Sequence, residues 1–337
     1  MKVKLLVAVL LAALFCTTSP CAALDVVSTT SVLWDPVQSI GGENVRVIYI
    51  ADPAVCPHMQ GDIIPNRIQI EKSFISSADL FVAHNSSVDA QYVMPYVDDF
   101  MEANEYGTIT WVTLSDPLMT WNTPETAMNL AGEVRDWLIA ADPTNSKYYS
   151  QRYEAYTDEI SAAGELTAQE QETIPGQQVV SMIWQKDAAE NWLGLEIVDI
   201  YAPDFYMGGK NSAVKLVDRI NEKPENYKEV VYVIENMQSG ELGKGIEESL
   251  TDKGYDTQRV IFTNFPKSVE GVDSIPDVLL YNKNLVSPHK DGASPSVAMS
   301  ENQQNESPEP TKSPGFTIGT ILIALGAGSF VHRRVMK

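Results

Sequence analysis

Short apolar runs and stretches of helical period alternate twice along this chain, and a long helical segment separates the two alternations. No other feature limits the possible folds as strongly. In the first half, residues 26–29, 45–50, 80–83 and 109–113 are apolar runs too short for helices, and turn-forming residues lie around them. Between them, 32–40, 65–77 and 88–102 carry apolar residues at helix-like intervals. Such alternation argues for βαβ units around a parallel sheet.

The second half repeats the pattern, with strands expected at 179–183, 197–201, 230–234 and 260–263 and helices at 188–193, 213–221, 240–253 and 278–286. Between the halves, Thr123-Pro124-Glu125 reads as a helix N-cap with proline in the first helical position. That helix should run to Ala140. Asp142-Pro143 interrupts it, and a second helical stretch is expected over 144–173, with Tyr148, Tyr149, Tyr153, Tyr156 and Ile160 on one packing face. The expected class is α/β: two Rossmann-like lobes with parallel sheets, joined by a long helical spine, with a ligand cleft between them. The expected limits are a first lobe over 24–122, a helical connector over 123–175 and a second lobe over 176–288.

The ends of the chain point outside the cell. Residues 1–23 combine Lys2 and Lys4, an apolar stretch from Leu5 to Phe15, and Cys21-Ala22-Ala23 as a small-residue cleavage site, the three parts of a secretory signal. Cleavage there leaves Cys56 as the only thiol, so no internal disulfide can form. Residues 289–313 are Ser, Pro, Glu, Gln and Asn with almost no large apolar side chain, a composition expected to form a disordered stalk. Pro314-Gly315-Phe316, an apolar run to Val331 and the basic His332-Arg333-Arg334 follow. The run falls short of the roughly 20 residues a membrane span needs. This tripartite tail resembles the PGF-type C-terminal sorting signal of archaeal surface proteins, which implies processing by an archaeosortase and a lipid anchor; a plain transmembrane anchor is the alternative. The sequons at Asn85 and Asn305 agree with an extracellular, surface-anchored protein.

Net charge is −21, which argues against nucleic acid and against an anionic membrane surface as partners. The chain has no Gly-rich phosphate loop, Ser-elbow motif or His-Glu-x-x-His pair, so no enzyme is expected. The densest chemistry lies in Cys56-Pro57-His58-Met59, just past the second expected strand. In open α/β sheets ligands bind outside the carboxyl ends of strands. A thiol, an imidazole and a thioether together suit a soft or late transition metal. A loop cysteine and histidine without a ligand is the plainer alternative.

Several short motifs then occur in a fixed order: Asp52-Pro53 followed by Pro57-His58, Ser77-Ala78-Asp79-Leu80, Trp121-Asn122-Thr123-Pro124, Ala141-Asp142-Pro143-Thr144-Asn145, Gly194-Leu195-Glu196 and Tyr281-Asn282-Lys283-Asn284-Leu285. In that order they resemble the zinc/manganese (ZnuA-like) class of ABC-transporter solute-binding proteins, over most of 24–287. The resemblance implies two α/β lobes joined by a rigid helix and one transition-metal ion held as cargo in the cleft. It also implies delivery to a membrane permease with its cytoplasmic ATPase, with no organic cofactor and no catalysis.

His58 matches the first metal ligand of that class. Its second ligand position falls on Met119, its third near 182–185 and its fourth near Thr263-Asn264, so three of the four differ in kind. Of the four histidines, only His58 and His84 lie outside the tail, too few for a three-histidine zinc cage. One expectation is a site retuned to a soft metal such as Cu(I), drawn from Cys56, His58, Met59, Met119 and Met182, with Asn264 at the last position. The other is a cleft lined by Trp121, Trp184 and Trp192 that holds an organic ligand, a metal chelate or nothing. Zinc, manganese and copper all stand as candidate cargo. A surface-tethered adhesin or structural protein of the same fold is the rival function.

Overall fold

A computed structural model describes residues 23–287, all within one compact unit. The expected signal peptide, stalk and sorting signal lie outside the described residues. Among the described residues no helix is long and apolar enough to cross a membrane.

Apolar runs buried on both faces can only be covered from two sides, and they form two all-parallel sheets. In the first, β1 (Leu24–Ser28), β2 (Val45–Tyr49), β3 (Leu80–Ala83) and β4 (Trp111–Thr113) lie in the order β2-β1-β3-β4. Helices α1 (Ser31–Gly41), α2 (Ile63–Ile70), α3 (Lys72–Ile75) and α4 (Met94–Ala103) fall between these strands in sequence. Then come α5 (Pro124–Ala141), α6 (Ser146–Gly164) and α7 (Ala168–Thr173). The second sheet has β5 (Gln178–Met182), β6 (Glu196–Tyr201), β7 (Val230–Asn236) and β8 (Gln258–Phe262) in the order β6-β5-β7-β8, with α8 (Ala213–Glu222), α9 (Lys244–Thr251) and α10 (Ile275–Val286). The two orders are the same. In each sheet the strand order reverses once, between β1 and β3 and between β5 and β7, and such switch points are where open α/β sheets form binding crevices.

The expected strands are all present, with ends moved by a few residues. The helices differ more. The stretch expected over 65–77 divides at Glu71, and the one expected over 88–102 begins only at Met94. The stretch expected over 144–173 breaks after Gly164, where Glu165 turns extended. Tertiary contact explains the break. Gly164 abuts the first residue of α5, and a Cβ there would clash with the Pro124 ring. The chain is then held at its turn from the second lobe: Trp192 Nε1 donates to the Gly164 carbonyl at 2.8 Å and Lys283 Nζ to the Glu165 carbonyl at 2.6 Å.

One core cluster joins the halves. It packs Val26, Leu33 and Val37 with Leu130 and Val134 of α5, Tyr156 of α6, and Ile275 and Leu279 of α10. The last helix of the second lobe thus seats on the first. At its centre the Asp35 carboxylate is 3 % exposed and accepts from Tyr156 Oη and from the Ile275 backbone N–H, both at 2.6 Å. Burial pushes this carboxyl up to about 6, against those hydrogen bonds, which favour the charged form.

A carboxyl whose folded pKa exceeds its unfolded one adds stability that is complete below the unfolded value, near 4, and is lost as pH rises through about 6. Relative to Asp35→Asn, the wild type should therefore gain on the order of 2 kcal/mol of unfolding free energy on going from about pH 7.5 to about pH 4.5. Denaturant titrations of both proteins across that range measure it; parallel profiles would show that Asp35 does not titrate within the folded state.

Candidate functional site

The loop after β2 is built by one glutamine. Gln60 Oε1 accepts from the Asp52 N–H at 2.7 Å, and its Nε2 donates to the carbonyls of Asp52 at 2.8 Å and Val55 at 2.6 Å. This closes the segment that carries Cys56, Pro57 and His58. Pro57 opens a single 3₁₀ turn, Pro57–Met59, and leaves His58 on the surface. His58 Nδ1 lies 2.8 Å from Cys56 Sγ, and its ring meets Phe205 of the second lobe edge-on at 5.1 Å and Tyr92 at 6.1 Å. Phe205 in turn lies 6.5 Å from Trp184. Partial burial pushes the Cys56 thiol up, so it is held mostly as the neutral thiol at neutral pH.

A second locus lies deeper, at the first sheet's switch point. His84 follows β3 and is fully buried, with Nε2 2.8 Å from Thr30 Oγ1 and no partner for Nδ1. Burial holds its imidazole below the usual range, opposed by the Asp89 charge. Asp89 is itself buried and accepts from Thr29 Oγ1 and the His84 N–H, each at 2.6 Å. It thereby ties the ends of β1 and β3 together.

The Trp121 ring stacks tilted against His84 at 4.7 Å and reaches the other lobe through Nε1, which donates to the Asn264 carbonyl at 2.7 Å. Two more bonds cross the same seam. Asn122 Nδ2 donates to the Trp184 carbonyl at 2.9 Å, and Gln238 Nε2 donates to the Pro53 carbonyl at 3.0 Å. Gln185, after β5, donates from Nε2 to Asn236 Oδ1 at 2.8 Å. The seam therefore runs along the carboxyl ends of both sheets, and nearly every polar group in it is neutral.

The family model for the zinc-uptake complex component A periplasmic family, ZnuA, matches residues 26–272, which include both sheets. The chain belongs to that family. It is 27% identical over 169 residues to the manganese-binding lipoprotein MntA of Halalkalibacterium halodurans; the match covers 46% of this chain and 52% of that protein, so it spans about half the length of this relative. The fold is similar to that of a periplasmic metal-binding protein from Candidatus Liberibacter asiaticus, at 16% identity and a TM-score of 0.57, over 77% of this chain and 96% of the other. It is similar also to a crystal structure of ZnuA, at 18% identity and a TM-score of 0.55, over 78% and 98% of the two chains. Likeness at such identity concerns the fold. Membership in a family of uptake components fits the expectation that the chain is not an enzyme.

The residues expected to form a sulfur-rich site are not brought together. Met182 has no exposed surface and packs in a core of the second sheet with Val180, Tyr201 and Leu216. Met119 packs on the separate cluster that contains Leu33, Leu130 and Phe265. Met59 is 64% exposed. Of the expected site residues, Cys56 and His58 touch each other, and Asn264 lies in the seam, where its carbonyl accepts from Trp121. Among the described residues no three His, Cys, Asp or Glu are grouped to hold a metal. The expected tryptophans divide as well: Trp121 and Trp184 border the seam, whereas Trp192 secures the end of α6.

Sequence reading passed over Gln60, Asn122 and Gln238, and left His84 without a role. A usable signal existed for His84 and Gln238, one and two residues past the ends of β3 and β7, where ligands bind in open α/β sheets.

Alkylation of Cys56, followed by mass spectrometry of its peptide, checks the raised thiol. At neutral pH it should react several-fold more slowly than an unstructured cysteine, and the gap should narrow as pH rises. Reaction as fast as in the unfolded chain would mean that the thiol is not held as described.

Proposed function

We propose that this chain is the cargo-capturing component of an ABC-type metal importer, and that it takes a first-row divalent metal ion, zinc or manganese, at the seam between its lobes. The observation that carries the reading is the family match across 26–272, which spans both sheets and the helices between them. The descriptions of its relatives, one manganese-binding and others metal-binding or ZnuA, support the same cargo class. A permease and its ATPase are the partners this function requires. Asn264 stands among the donors, and His58, with Cys56 beside it, stands at the rim where an arriving ion first meets the protein. Copper is set aside because the thioethers of Met119 and Met182 lie in separate cores and offer no soft pocket.

Equilibrium dialysis of the purified, metal-stripped chain against Zn²⁺ and Mn²⁺, with metals counted by mass spectrometry, tests the capture. About one ion per chain should be retained. Retention of neither metal would end the transport reading.

The extracellular placement and the tether belong to the same proposal. The signal-like residues 1–23, the Pro314-Gly315-Phe316 start of the last segment and its closing Arg333-Arg334 support secretion, removal of the tail by an archaeosortase and lipid anchoring. Mass spectrometry of the protein recovered from cell membranes should find no peptide after Gly315 and a lipid-sized mass increment. An intact C-terminus would replace processing with a plain hydrophobic anchor.

A further inference from the structure

Two Asn-x-Ser sequons occur in the chain, at Asn85 and Asn305, and Asn85 lies within the described residues. It stands two residues past β3, where the chain leaves the first sheet. The turn there is built around Asp89, whose carboxylate accepts from the His84 N–H at 2.6 Å and from the Ser86 N–H at 3.1 Å. The Ser86 carbonyl accepts from the backbone N–H groups of Asp89 at 3.2 Å and Ala90 at 2.8 Å. Ser86 Oγ accepts from the Val88 N–H at 3.2 Å. The middle residue of the sequon is therefore spent on holding the turn.

The outer two residues are left free. Asn85 and Ser87 are exposed, although His84 and Asp89 on either side are buried. Among the described residues neither the Asn85 amide nor the Ser87 hydroxyl has a hydrogen-bond partner. Asn85 has a φ of 59°, a backbone state that asparagine adopts more readily than most residues. That preference accounts for an asparagine at this turn. It gives no reason for a hydroxyl two residues on that serves no bond within it.

We propose that Asn85 is an N-glycosylation site of the mature protein, with a polyprenyl-phosphate-linked oligosaccharide as the donor. In the transfer the Asn85 side-chain nitrogen bonds to the anomeric carbon of the first sugar. The bond from that carbon to the phosphate oxygen breaks, and the lipid phosphate leaves with the electron pair. One amide proton passes to a base of the membrane-bound transferase, so no oxidant or reductant is needed. The exposed Ser87 hydroxyl is the second group that the transferase recognises. A glycan is bulky and belongs on the surface, and adding one to the unpaired Asn85 side chain breaks none of the bonds that hold the turn. Because Asn85 directly follows His84, the sugar is rooted at the border of the seam. This assignment rests on the extracellular placement proposed above.

The test uses the full chain recovered from the cells that make it, with the peptide holding Asn85 analysed by mass spectrometry. Surface placement is read in parallel by treating intact cells with a membrane-impermeant amine reagent. The peptide should carry a mass increment that fragments into sugar units. Ser87→Ala should abolish the increment, and Ser87→Thr, which keeps the hydroxyl, should retain it. Asn85→Gly takes a positive φ without strain, so it should lose the glycan and keep the circular dichroism of the wild type. Ser87→Ala decides the matter if Asn85→Gly misfolds. An increment that survives Ser87→Ala would overturn the assignment. A bare Asn85 peptide from protein labelled on intact cells would overturn it too, and leave the extracellular placement standing. A bare peptide from protein that escapes the label would sink both.

Discussion

The fold depends on a single buried carboxylate that three helices share. Asp35 on α1 accepts from the Tyr156 hydroxyl on α6 and from the first backbone N–H of α10. Without it, the N-terminal turn of α10 would lose its hydrogen bond to the first lobe, and Lys283 near the other end would remain as its polar tie to the end of α6. Burying that charge is costly, as its raised pKa records, and the cost is tolerated because the same oxygen serves two elements far apart in sequence. Helix α6, about 28 Å long, packs along the first lobe and is held at its end by Trp192 and Lys283 of the second. The two halves therefore share a core and do more than touch through a linker.

Much of this architecture was legible in the residues. Apolar runs such as Leu80-Phe81-Val82-Ala83 cannot lie on a half-exposed sheet, so parallel strands between helices follow. Thr123-Pro124 announces its helix by local chemistry alone, and Thr123 does accept from the Thr126 N–H as its N-cap. The break after Gly164 was not legible, because its cause is Pro124, forty residues away in sequence. The side a residue faces was equally hidden. Met182 ends β5 and turns into the helical layer, although its position in sequence suits a strand-end ligand. His84 has the same standing at the end of β3, yet it turns toward Trp121.

The chain thus belongs to a metal-uptake family while three of the four ligand positions implied by resemblance hold another residue type. Its seam is polar, buried and almost uncharged, in a protein whose net charge is −21. Apart from Asp89 beside His84, the acidic groups lie elsewhere: Glu235 pairs with Arg259 and Asp199 with Arg219. The local chemistry of the seam is set by amide dipoles and one imidazole.

All three bonds across the seam end on main-chain carbonyls, those of Asn264, Trp184 and Pro53. A backbone oxygen is the same whatever side chain its residue bears. The accepting half of this latch is thus blind to substitution, and only the donors Trp121, Asn122 and Gln238 are constrained in kind. A change of side chain at Asn264 or Trp184 therefore leaves the accepting oxygen of the clasp in place, whereas a change at Trp121, Asn122 or Gln238 removes its donor.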